Sequence, residues 1–242
     1  MNKKRLMNEK LKKVGLWASA VLVLTTLIVS GAVYAAHILA VTLPTPTPTT
    51  VSEYNEFTLP VLDSCGIITD GQGHGSCVAI GPDILLTAAH CLEHVGLWVE
   101  VAGHRYEVVE QYTSKIYDVG FVRIDGILPY VELGKMPQLL DKVYIVGTPR
   151  EIVFLNLITS GIICKLGIQY SNSTVNWVGD FICDAAAWCG MSGGPVLNEQ
   201  WQLVGMYVGL FYDVDNFSVC VPVTQVRAAL DEYYNLDQEE YE

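Results

Sequence analysis

Gly190-Met191-Ser192-Gly193-Gly194-Pro195 completes a series of three segments that begins with Thr87-Ala88-Ala89-His90-Cys91. Between them comes Tyr117-Asp118-Val119-Gly120-Phe121-Val122-Arg123-Ile124. In chain order these offer an imidazole, a carboxylate and a hydroxyl set in a glycine-rich turn. A serine hydroxyl is a weak nucleophile near neutral pH and needs a base to take its proton. Imidazole suits that work because its ordinary pKa lies near the working pH. A carboxylate on the second ring nitrogen fixes the tautomer and stabilises the imidazolium that forms. Glycines beside Ser192 let the backbone turn sharply and approach a bound molecule closely. Asp125 competes with Asp118 for the acid, but it precedes Gly126 and reads as a turn residue.

The remaining histidines suit other work. His37 lies in the apolar N-terminal region and His74 in a Gly-rich turn. His94 sits four residues past His90 at a solvent-facing position, and His104 opens a hairpin before Tyr106-Glu107-Val108-Val109. Gly190-x-Ser192-x-Gly194 also fits the nucleophile elbow of the α/β-hydrolases, whose histidine follows the serine along the chain. No histidine occurs after His104, so that reading fails.

Taken together, the three segments resemble the chymotrypsin/trypsin superfamily of serine proteases over roughly residues 60 to 228. The resemblance implies His90 as base, Asp118 as orienting acid and Ser192 as nucleophile. It implies an oxyanion hole from the N–H groups of Gly190 and Ser192, and it marks Cys77 with Cys91 as a disulfide pair. The specificity pocket would have its base near Ala186 and Ala187 and its wall at Tyr207, Val208 and Gly209, with no clear charge. Asp184 comes too early to be a trypsin-like acid, so a small or apolar P1 residue is expected. Met191 stands where trypsin-like zymogens carry the aspartate that pairs with a newly cut N-terminus. The entry Thr58-Leu59-Pro60-Val61-Leu62-Asp63-Ser64-Cys65 holds no matching cleavage site, so no activation by N-terminal insertion is expected. The spacings, 28 residues from His90 to Asp118 and 74 from Asp118 to Ser192, resemble compact bacterial trypsin-like peptidases.

Short alternating runs separated by turn signals point to an all-β fold. Strands are expected at about 65–70, 75–82, 84–89, 97–102, 105–113 and 119–124. A second set is expected at about 141–147, 153–163, 165–170, 176–183, 195–198 with 202–210, and 217–222. These make two antiparallel six-stranded β-barrels, chymotrypsin-like, at about 58–130 and 135–228, with a C-terminal helix from Thr224 to Tyr234. His90 and Asp118 fall on the first barrel and Ser192 on the second. Residues 229–242 read as an acidic, solvated tail.

Ahead of the barrels, residues 1–13 are basic and 14–36 form an uncharged stretch of 23 residues, long enough to span a bilayer. The basic flank puts the N-terminus in the cytoplasm and the protease outside, anchored through this transmembrane helix. The alternative is a secreted protein whose signal is cleaved near Ala32, Ala35 and Ala36. A Pro/Thr-rich linker, residues 37–57, would hold the domain off the membrane. Beyond residue 13, eight Lys/Arg face 25 Asp/Glu, an excess that disfavours nucleic acid as a partner. The partners expected are a protein or peptide substrate and the membrane.

Seven cysteines suit an oxidising compartment. Cys164 with Cys183, and Cys189 with Cys220, are further possible pairs, which would leave Cys65 over. No Cys-x-x-Cys occurs and only Cys91 has histidines close by, so no metal and no cofactor is expected. Asn172-Ser173-Thr174 and Asn216-Phe217-Ser218 are glycosylation sequons, meaningful only in a eukaryotic secretory route. The expected function is a membrane-anchored serine endopeptidase working through an acyl-enzyme. The alternative is a catalytically silent, protease-like binding module.

Overall fold

The computed structural model describes residues 59–150, 155–172, 176–211 and 217–239. The basic segment, the anchor and the linker expected over 1–57 lie outside these residues. Among the described residues no helix is long and apolar enough to cross a membrane.

Six strands form the first closed barrel. They are β1 (Cys65–Thr69), β2 (His74–Ala79), β3 (Ile84–Thr87), β4 (Trp98–Val101), β5 (His104–Thr113) and β6 (Gly120–Ile124), in the spatial order β1-β2-β3-β6-β5-β4. Every pairing is antiparallel, and β1 against β4 closes the ring, with Ile68 opposite Val99. Side chains alternate across a strand, so β4 buries Val99 and Val101 while Trp98 and Glu100 reach the surface. Ile68, Leu85, Val99, Val101, Val122 and Ile124 fill the interior.

The second barrel uses β7 (Lys142–Gly147), β8 (Leu157–Lys165), β11 (Phe181–Cys183), β12 (Pro195–Leu197), β13 (Leu203–Leu210) and β14 (Ser218–Pro222), ordered β11-β14-β13-β12-β7-β8. The other two strands, β9 (Gln169–Ser171) and β10 (Asn176–Val178), pair only with each other. Here the structure departs from the expected strands at 165–170 and 176–183. Gly167 and Gly179 both adopt positive φ (61° and 84°), a backbone form that breaks a strand. They split the region into a surface hairpin and a short barrel strand. The hairpin keeps its own apolar contact, with Trp177 against Tyr170 and Phe211 at ring separations of 5.5 and 5.1 Å.

β14 leads directly into helix α1 (Val223–Glu239), which extends well past the expected end at Tyr234. Val223, Val226, Ala229 and Tyr233 recur at helical spacing and are buried. Tyr233 packs on Tyr112 and Phe121 of the first barrel, with ring centroids 5.4 and 6.0 Å apart. Glu232 accepts hydrogen bonds from the Tyr112 and Ser114 hydroxyls at 2.8 and 3.0 Å. The stretch read as a solvated tail from residue 229 is therefore, as far as Glu239, a helix docked across the two barrels. Its acidic residues hid the apolar stripe.

The expected Cys77–Cys91 bridge is not formed, and all seven cysteines are free thiols. Cys77 lies wholly inside the first barrel, where burial pushes its thiol well above the ordinary range. The Cys91 sulfur instead leans toward the Ser192 carbonyl at 3.7 Å. The alternative pairs fare no better. Cys164 and Cys189 are exposed, and Cys183 has Cys220 beside it, sulfur to sulfur 3.9 Å.

Candidate active site

β3 ends at Thr87, whose hydroxyl donates to the Ser76 carbonyl at 2.8 Å. The chain then closes a 3-10 turn, Ala89–Leu92, fastened by Cys91 N–H to Ala88 C=O. This turn sets His90 at the barrel rim, with 43% of its side chain exposed. Asp118 comes from the opposite rim loop between β5 and β6. Ser114 Oγ shapes that loop by accepting the N–H groups of Ile116 and Tyr117.

The Asp118 carboxylate grips His90 twice. One oxygen accepts the His90 backbone N–H at 3.1 Å and the other lies 2.7 Å from ring Nδ1. An ionised carboxylate only accepts, so Nδ1 carries a proton and Nε2 is left with its lone pair. Burial alone would depress this imidazole. The hydrogen bond and charge of Asp118, with a contribution from Cys91, outweigh burial and raise its pKa above the ordinary value.

Ser192 sits in a turn pinned by Met191 N–H to Trp188 C=O and Gly194 N–H to Met191 C=O, at 3.0 and 2.9 Å. Gly193 has φ +88°, and a Cβ there would fall 2.2 Å from the Ser76 carbonyl oxygen. Only glycine fits. The turn is held to the first barrel by β2. Ser76 N–H donates to the Ser192 carbonyl at 2.7 Å. The Ser76 hydroxyl donates to the Gly190 carbonyl and accepts the Thr148 N–H, both at 2.9 Å. Arg150 N–H binds the Cys189 carbonyl at 2.8 Å. A trans peptide then points the Gly190 N–H away from Arg150. Among the described residues, neither this N–H nor that of Ser192 donates a hydrogen bond.

His90, Gly190, Ser192, Tyr207, Val208 and Gly209 line one cavity of about 810 Å³. The structure thus brings together the residues read as base, nucleophile, oxyanion donors and pocket wall. Ala186 and Ala187 do not line it. The 184–187 stretch is tied back to β8 instead. Asp184 accepts the Ile162 N–H at 2.7 Å and Ala186 C=O accepts the Thr159 hydroxyl at 2.6 Å. Another cavity, about 660 Å³, holds none of the expected residues. Among the described residues no cluster of three or more His, Cys, Asp or Glu could hold a metal ion.

Three contributors were not legible beforehand. Ser76 joins the turn to β2. His74 Nε2 lies 2.9 Å from the Thr148 carbonyl, and Arg150 lines the cavity. Ser76 and His74 make these contacts across 70 or more residues of chain, with no local pattern to mark them.

Residues 75–206, more than half of the chain, match the family model of the trypsin-like peptidase domain. Protease Do-like 2, chloroplastic, from Arabidopsis thaliana is 29% identical over 174 residues, covering 66% of this chain and 28% of that protein. The chain thus spans little more than a quarter of that relative's length. Among solved structures, the active form of the Rv3671c protease from M. tuberculosis superposes with TM-score 0.62 at 19% identity, covering 71% of this chain and 81% of that one. The MamO protease domain from Magnetospirillum magneticum gives TM-score 0.62 at 14% identity, covering 70% and 96%. At such identities the likeness is one of fold. The family match rests on sequence, and by it the chain belongs to the trypsin-like peptidase domain family.

Proposed function

We propose that this domain cleaves peptide bonds through Ser192, with His90 as base and Asp118 as its orienting acid. The observation that carries this is the 2.7 Å His90–Asp118 contact on the cavity that Ser192 also lines. In the reaction, Ser192 Oγ attacks the scissile carbonyl while His90 Nε2 takes its proton. The oxyanion that forms accepts the N–H groups of Gly190 and Ser192. One such donor is worth about a hundred- to a thousandfold in rate. The imidazolium then protonates the departing amine, leaving an acyl-enzyme. Water, deprotonated by the same imidazole, releases the acid and restores the serine.

Met191 is fully buried and apolar, which supports a site that forms without pairing to a cut N-terminus. The wall of Val208 and Gly209, with Asp184 engaged on β8, supports a small or apolar P1 side chain. The basic and apolar N-terminal segments support membrane tethering, with the domain outside the cytoplasm.

A fluorophosphonate probe tests the proposal. Labelling of Ser192, lost in Ser192→Ala and suppressed in Asp118→Asn, is the expected result. A folded protein that stays unlabelled across pH 5 to 10 would instead indicate a silent binding module.

A further inference from the structure

Gly179, with φ +84°, ends β10 and turns the chain so that Asp180 enters the interior ahead of β11. Asp180 is only 3% exposed. Its backbone carbonyl is fixed by the Ile168 N–H at 2.8 Å. With Tyr117, Asp118, Asn176 and Gln225, it lines a small cavity of about 160 Å³ that shares no lining residue with the larger cavity of His90 and Ser192. Every element packed there contributes something. The β5–β6 loop brings the Asp118 carboxylate and the Tyr117 phenol. Helix α1 brings the Gln225 amide, which is anchored on the Val178 carbonyl at 2.9 Å and also bonds the Asp180 carboxyl. Strand β14 brings the Cys220 thiol, which burial pushes well up, with the neighbouring Cys183 and the Asp180 charge adding to the rise. Among the described residues Asp180 forms no ion pair, and Asp118 pairs only with His90.

We propose that Asp180 is a positioning residue of this site, exchanging between neutral and charged carboxyl behind Asp118 and so setting the pH above which His90 becomes a competent base. This rests on the protease reading above. Two carboxyl groups sharing a small enclosed space do not both ionise freely. Asp118 is engaged by two N–H groups of His90, whereas Asp180 is buried with the Gln225 amide on its carboxyl. Burial pushes the Asp180 carboxyl up to about 7, with the Asp118 charge adding to the rise and the Gln225 hydrogen bond opposing it. Below that pH a single negative charge stands behind the imidazole. Above it a second arrives, and the imidazole holds its proton more tightly. The acid limb of activity is thereby moved upward.

The test compares the pH profile of kcat/KM for the parent protein and Asp180→Asn. The variant's acid limb moves down by about half to one pH unit, with a plateau close to the parent's. Its thermal midpoint also changes in a defined direction. A carboxyl raised on folding stabilises the protein below its unfolded pKa, and that stability is lost as pH rises through the folded value. The parent's Tm therefore falls between about pH 4 and 7, and the variant's falls less. An unmoved limb, or a uniform loss at every pH, overturns the proposal. Should the variant fail to fold, the carbon-13 carboxyl titration of Asp180 in the parent and in Asp118→Asn decides. A midpoint near neutrality that drops when Asp118 is neutralised supports it, and an ordinary carboxylate midpoint overturns it. Absence of fluorophosphonate labelling at all pH values would instead sink the protease reading, leaving the carboxyl titration still informative.

Discussion

The two barrels furnish their halves of the site in opposite ways. The first positions His90 and Asp118 from its own rim, and their mutual hydrogen bonds need nothing from the second. The second presents Ser192 on a turn whose carbonyls are caught by the first barrel, through Ser76 N–H on Ser192 and Ser76 Oγ on Gly190. The proposed acid–base pair is thus joined by hydrogen bonds within its own barrel, and the proposed nucleophile is held from across the cleft. A site of this kind registers its two halves by direct hydrogen bonding, which bears on how each half can fail.

The sharpest break of this comparison comes from Asp118→Asn. The asparagine amide presents a donor toward Nδ1, and kcat should drop by about ten-thousandfold while the Ser192 turn keeps its shape. Steady-state kinetics beside an unchanged melting curve would show it. Tyr233→Ala comes next, because it empties a buried contact between α1 and the first barrel. A loss of about 3–5 kcal/mol is expected by analogy with other large aromatic truncations, measured by denaturant unfolding. Ser76→Ala is smaller but more diagnostic. It strands the Thr148 N–H and the Gly190 carbonyl at a cost of about 1–3 kcal/mol, and it should lower kcat with little change in KM. Full probe reactivity in Ser76→Ala would show that the second barrel holds its own nucleophile, and the comparison would fail.

The smallest effect concerns pH. In the proposed reaction the working form of His90 is the neutral one, and Asp118 outweighs burial to raise the imidazole above its ordinary value. Activity should therefore rise with pH through a midpoint above the ordinary histidine value of about 6.5. The residual activity of Asp118→Asn should show that midpoint moved down.

Much of the first barrel was legible in the sequence, for a physical reason. Its strands are bounded by turns that signal locally, and the alternation of β4 maps directly onto burial. The segments around His90, Asp118 and Ser192 stood out because the proposed chemistry demands particular residue types in tight local settings. The second barrel was less so. Residues 165–170 and 176–183 have strand composition, yet positive φ at Gly167 and Gly179 divides them. Glycine in a strand-like run does not reveal which sign of φ it takes. The last turns of the helix were obscured by their acidic composition, while Tyr233 and Glu232 find their partners in a barrel more than 100 residues earlier. Cysteine pairing was equally out of reach, since the side-by-side placement of Cys183 and Cys220 follows from the neighbouring of β11 and β14.

Helix α1 occupies the very end of the described polypeptide, yet it reaches from the last strand of one barrel to the aromatic cluster of the other. During synthesis the first barrel emerges whole long before this clasp is made. Docking of the helix on Tyr112 and Phe121 therefore comes after the first barrel's own strands are all available to pair.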